Sequence, residues 1–268
     1  MTSAGNDDPE GGLGPLEIWP HVRPPRQEGD PRYFYVHMQK AAGTSFILRL
    51  YLHFPEAAIY PNPDDGDVQA EAPQGDVAGL LERWPARRDD IQVIAGHFPL
   101  CTTRLLGEEF RTMTVLRDPV ERTLSYLRHR RVLVAEDRDK SLEEIYDDPW
   151  AFPLIIENHM TRMLALEPEE VTWGPLSQMP YTPERLEQAK ANLAAIDVFG
   201  LQDHMGEFWT DVQERFSWQL PPMPRFNTTE PVPVSDSLRA RIAADNAYDM
   251  ELWRYAQDLY ASRRTERG

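Results

Sequence analysis

Cys101 is the single cysteine among 268 residues, which excludes an intramolecular disulfide and fits a reducing compartment. No apolar run approaches the roughly 18 residues that would cross a bilayer. The opening MTSAGNDDPEGG has no charged-then-apolar signal. The expectation is a cytoplasmic chain without a membrane span. Basic residues are also scarce, 28 Lys and Arg against 44 Asp and Glu, for a net charge of −16. Such a chain is a poor partner for nucleic acid or another polyanion, so an anion site must be a local basic pocket. No His/Cys/Asp spacing suggests a metal, and none is expected.

The stretch YFYVHMQKAAGTSFILRLYLH, residues 33–53, is what the chain does have. Residues 33–37 are aromatic and β-branched behind Pro and Asp, which predicts a buried strand. Phe46, Leu50 and Phe54 then recur at helical spacing, with Thr44 or Ser45 as N-cap. A helix N-terminus just after a strand attracts anions, and Lys40 and Gly43 sit in its mouth. A nucleoside-triphosphate loop is disfavoured. It needs lysine directly after its last glycine and another glycine five positions earlier, whereas Lys40 precedes Gly43 and the loop has no other glycine.

The second informative stretch is TMTVLRDPVERTLSYLRHRR, residues 112–131. Residues 112–116 read as a strand. Asp118 then serves as N-cap, Pro119 as first helical residue and Glu121 as partner in a capping box. Arg117 ends the strand where the helix begins, and Arg122, Ser125 and His129 recur along one helix face. A guanidinium and a hydroxyl so spaced can clamp a terminal phosphate.

Further strands are expected at residues 91–95 and 198–201, and helices at 152–166, 183–196 and 204–216. The aromatic stripe Phe208, Trp209, Phe216 in the last reads as core. Residues 218–234 should be extended, and Ser235 should cap a helix or helix pair reaching residue 263. Alternating strands and helices predict an α/β fold, a parallel sheet with helices on both faces. Residues 1–30 are expected to be a flexible arm, residues 31–265 one domain, and residues 60–76 a surface loop. His97 follows a strand and a glycine, so its ring should emerge at the carboxyl edge of the sheet, where open α/β folds bind ligands. An imidazole there suits a general base. His37 is the competitor, and His129 and His159 are further candidates.

Lys-x-x-Gly-Thr-Ser is the order by which sulfotransferases hold the 5′-phosphosulfate of 3′-phosphoadenosine-5′-phosphosulfate (PAPS). VHMQKAAGTSF resembles the HIPKTGGTS-type loop of the family that includes heparan sulfate 2-O-sulfotransferase and bacterial relatives. RDPVERTLSYL resembles that family's 3′-phosphate element, and weaker likeness extends over residues 32–262. The resemblance implies a P-loop-like three-layer fold of sulfotransferase type and PAPS as donor. It implies Lys40, Ala42, Gly43, Thr44 and Ser45 around the 5′ end, Arg117 and Ser125 on the 3′-phosphate, and His97 as base beside a catalytic Lys40. His37, Asn158 and Arg162 would lie toward the acceptor. Met38-Gln39 and Ala41-Ala42 depart from the commoner loop residues, as Leu127 does from a frequent aromatic. The rival readings are a non-catalytic nucleotide- or glycan-binding relative and a P-loop small-molecule kinase. The expected acceptor is a small molecule or carbohydrate, with no nucleic-acid or membrane partner; oligomeric state stays open.

Overall fold

The computed structural model describes residues 23–41, 43–65, 75–172, 177–220 and 233–266, without the side chains of Thr44 and Ser45. Its described strands are β1 (Arg32–Val36), β2 (Ile59–Tyr60), β3 (Val93–Gly96), β4 (Phe110–Leu116) and β5 (Val198–Leu201). All pair in parallel, in the order β2-β3-β1-β4-β5. Every residue of β1 is buried, as befits the middle strand of a parallel sheet covered on both faces. Strand β2 was not foreseen, since two residues carry no alternation to read.

The described α-helices are α1 (Gly43–His53), α2 (Val77–Arg87), α3 (Thr102–Leu106), α4 (Pro119–Leu133), α5 (Leu142–Tyr146), α6 (His159–Ala165), α7 (Pro183–Ala195), α8 (Met205–Phe216), α9 (Asp236–Asp245) and α10 (Ala247–Thr265). Aromatic packing joins β1, α1 and α8: Tyr35 stacks on Phe46 at 3.8 Å between centroids, and Phe46 on Trp209 at 5.2 Å. The aromatic stripe of α8 is therefore core, as its spacing predicts. Ser235 caps α9 by accepting from the Leu238 amide at 3.2 Å. The C-terminal segment is the helix pair α9–α10. No described helix is long and apolar enough to cross a membrane.

Two expectations change. The single helix over 152–166 is instead a π-helical turn (Phe152–Ile156), a bend, and then α6. Asn158 lies in the left-handed region there, at φ 42°. Its side-chain oxygen accepts from the amides of Tyr248 and Asp249, at 3.0 and 3.1 Å, a long-range bond that local periodicity cannot reveal. The surface loop at 60–76 begins inside, with Tyr60, Asn62 and Asp65 buried and Asp65 paired to Arg87; residues 66–74 lie outside the described set. The described end of the N-terminal arm, residues 23–30, is mostly exposed and touches the body through Arg23. The Arg23 amide donates to the His53 carbonyl at 2.7 Å, and its guanidinium lies 5.7 Å from the Phe54 ring centre. Residues 221–232, within the segment expected to be extended, are outside the described residues.

Candidate active site

Strand β1 lies between β3 and β4, and Val36 pairs with Gly96 on one side and Thr114 on the other. The residues that follow these three strand ends therefore emerge together: His37 to Lys40 after β1, His97 after β3, Arg117 after β4. This is the carboxyl edge of the sheet, where the chain's connections depart in opposite directions.

The loop after β1 is tightly wound. The Met38 amide donates to the Val36 carbonyl and the Ala41 amide to the Met38 carbonyl, at 3.1 and 3.2 Å. Lys40 takes a left-handed conformation, φ 65°, which costs a residue with a Cβ about 1 kcal/mol or more. Arg117 holds it there: its Nη1 donates to the Lys40 carbonyl at 3.0 Å, across 77 residues of sequence. Gly43 opens α1 where only glycine fits, because a Cβ would lie 1.5 Å from Nε2 of His37. Ala42 and the Thr44 and Ser45 hydroxyls lie outside the described residues.

His97 is partly exposed, and its Nδ1 lies 2.9 Å from the His37 carbonyl. A carbonyl only accepts, so Nδ1 carries the hydrogen and Nε2 keeps the lone pair of a neutral ring. Burial pulls this imidazole down to about 4, against the carbonyl bond, and Lys40 adds to the fall. The His37 ring lies 4.3 Å from that of His97. It is buried, with Nε2 against Gly43 and Nδ1 without a partner among the described residues. Burial and then the charges of His97 and Lys40 hold it well below the usual range. Of the two neighbouring rings, His97 is partly exposed and His37 is buried. His159 is fully buried and His129 is exposed on α4.

Asp118 caps α4 as its sequence predicts, accepting from the Glu121 amide at 3.0 Å. The reciprocal half of the capping box is replaced: Glu121 pairs with Arg239 at 2.6 Å. Arg117 is half-buried, and burial lowers its pKa, with Glu121 and Asp203 opposing. Its Nε is buried without a partner among the described residues. Ser125 lies on the same helix, partly exposed. Arg122, expected to share that face, turns wholly inward.

Asn158 and Arg162, expected toward the acceptor, are buried and hydrogen-bonded inside the protein. Arg162 donates to the carbonyls of Pro153, at 2.7 Å, and Leu154. Arg122 donates to those of Ile155 and Ile156, at 3.1 and 3.0 Å, and the Tyr181 hydroxyl to that of Glu157 at 2.7 Å. Five successive carbonyls at the end of the π turn are thus satisfied by three side chains from elsewhere. Cations suit this carboxyl end of a helical turn. The only sequence signal is two arginines inside apolar helical patterns, which does not say what they hold.

Two motifs, distant in sequence, are thus joined by a hydrogen bond on one sheet edge. No protein-family model matches the chain. Curated relatives do. A heparan-sulfate 6-O-sulfotransferase 2 from Gallus gallus is 30% identical, over 88% of this chain and 68% of its own length. The chain belongs to this sulfotransferase family. The Homo sapiens heparan-sulfate 6-O-sulfotransferase 2 is 29% identical and the Mus musculus enzyme 25%, each over 88% of this chain. Of those two relatives the chain spans less than half the length, 46% and 45%. The relatives are 6-O enzymes, whereas the loop resemblance pointed to the 2-O branch; the sulfotransferase assignment is common to both. The parallel sheet flanked by helices is the α/β architecture expected of such a protein.

Proposed function

We propose that this sulfotransferase moves the sulfuryl group of PAPS to a hydroxyl, less readily an amine, of a small-molecule or carbohydrate acceptor. The observation carrying this reading is the bond from Arg117 to the Lys40 carbonyl, which unites the lysine loop and the arginine element in one basic site. The residues present fit the donor: the buried Nε of Arg117 lacks a partner among the described residues, as suits a group awaiting a phosphate oxygen. PAPS when bound supplies the activated sulfuryl group. Arg117 and Ser125 would hold its 3′-phosphate. Lys40 and the amides from Gly43 to Ser45, at the N-terminus of α1, would hold its 5′ end with fixed charge and dipole.

His97 takes the acceptor's proton. Its Nδ1–H is fixed on the His37 carbonyl, which presents Nε2 as the basic atom and stabilises the imidazolium once formed. Its low pKa keeps the ring neutral, hence proton-accepting, throughout the neutral range.

The relatives' names speak of heparan sulfate, which supports a carbohydrate hydroxyl. The net charge of −16 disfavours a polysulfated chain and favours a neutral or cationic acceptor. The test is transfer from radiolabelled PAPS to neutral glycosides, aminoglycosides and desulfated or native heparan sulfate. We expect labelling of the uncharged or cationic sugars above native heparan sulfate, lost in His97→Ala and Lys40→Ala. Labelling that survives both substitutions, or appears only with native heparan sulfate, would overturn the reading.

A further inference from the structure

We propose that His159 is a positioning residue of the donor site, holding the peptide between Met38 and Gln39, just before Lys40, so that the lysine loop is preformed. The inference rests on the donor reading above and adds a residue from the opposite half of the chain.

His159 is the first residue of α6 and is fully buried. Its Nε2 accepts from the Gln39 amide at 3.4 Å, across 120 residues. An amide only donates, so Nε2 holds the lone pair and the ring is neutral with its hydrogen on Nδ1. Burial, then the charges of Arg122 and Arg162, disfavour the imidazolium and keep that acceptor available.

Lys40 needs such support, because its left-handed backbone is uphill for a residue with a side chain. Two bonds flank it. Gln39 N–H rests on His159 before it, and its own carbonyl rests on Arg117 after it. The second anchor is proposed to touch the nucleotide; the first is proposed to act through the loop.

His159 is itself fixed from α10. The Asp249 carboxylate accepts from the Met160 and Thr161 amides, at 3.0 and 2.7 Å, and from the Thr161 hydroxyl at 2.7 Å. The Asn158 amide donates to Asn246 at 2.9 Å, while Asn158 caps α10 in return. Two helix N-termini thus cap each other, a rigid base from which one ring reaches the lysine loop.

The experiment compares wild type with H159Q, whose amide oxygen reaches about as far as Nε2, and with H159F and H159N, which cannot accept from Gln39. Calorimetric titration with adenosine 3′,5′-bisphosphate is paired with amide hydrogen exchange and thermal unfolding of the full chain. H159F and H159N should bind about tenfold more weakly, the loss of one buried hydrogen bond, and should exchange the Gln39 amide faster. H159Q should recover binding and protection. Equal binding and equal Gln39 protection in all variants would overturn the proposal. So would losses in H159Q matching those in H159F. If the wild type does not bind the bisphosphate, the donor reading falls, while Gln39 exchange still decides whether His159 holds the loop.

Discussion

The Arg117 guanidinium donates to the carbonyl of Lys40 at 3.0 Å. One residue is proposed to meet the 3′-phosphate and the other the 5′ end, so the two halves of the nucleotide site are mechanically joined. A nucleotide lacking the 3′-phosphate forfeits a charge-assisted contact and leaves Arg117 less well fixed for its bond to the lysine loop. Adenosine 5′-phosphate should therefore bind at least about tenfold more weakly than the 3′,5′-bisphosphate, since hydrogen bonds to charged groups contribute ~1.5–3 kcal/mol. Parallel calorimetric titrations check this, and equal affinities would contradict it.

The His37 ring fills the space that a Cβ on Gly43 would need. Gly43→Ala should lower the melting temperature and weaken bisphosphate binding, because the clash involves a buried ring with nowhere to go. Adding His37→Ala should restore much of both. A double-mutant cycle checks it; strictly additive losses would show that the glycine is needed for another reason.

His37, His97 and His159 all have pKa values held below 6.5. In the unfolded chain these imidazoles regain their ordinary value, so below that pH the unfolded state binds more protons than the folded one. Their contribution to stability is complete above pH 6.5 and is lost as the pH falls toward the folded values. Urea midpoints measured between pH 7 and 5 should decline, and the decline should be shallower in His159→Gln. The acid limb of kcat/KM should lie near 4 rather than 6.5 if His97 is the base. A limb at the ordinary imidazole value would contradict this.

Arg122 and Arg162 hold four successive carbonyls of the π turn. Arg122→Leu strips partners from two buried carbonyls, so it should destabilise by roughly 2–5 kcal/mol. It should also disturb the apolar cluster that Leu124, Ile145, Ile155 and Ile242 share. Chemical denaturation checks the magnitude. A change below about 1 kcal/mol would mean that water replaces the guanidinium there.

The site's frame was legible because its parts are local. Strand, tight loop and capped helix each leave a short-range pattern, so Lys40, His97 and Arg117 could each be read just beyond a strand end, while the family resemblance was what joined the lysine loop and the arginine element in one site. What stayed hidden is held by distant partners. Asn158 and Arg162 sit in an apolar, helix-like run, yet their bonds reach Tyr248, Asp249 and the carbonyls of Pro153 and Leu154. His159 looked like a minor candidate because nothing near it in sequence involves Gln39. The short β2 and α3 are fixed by their neighbours in the fold, with too few residues to show a period.

The most direct test of the joined site is calorimetric titration of wild type and Arg117→Ala with adenosine 3′,5′-bisphosphate and with ATP. The account predicts tight binding of the bisphosphate, weak binding of ATP, and a loss of at least tenfold in the variant, about 1.4 kcal/mol or more. Preference for ATP, or bisphosphate binding untouched by loss of the guanidinium, would contradict it.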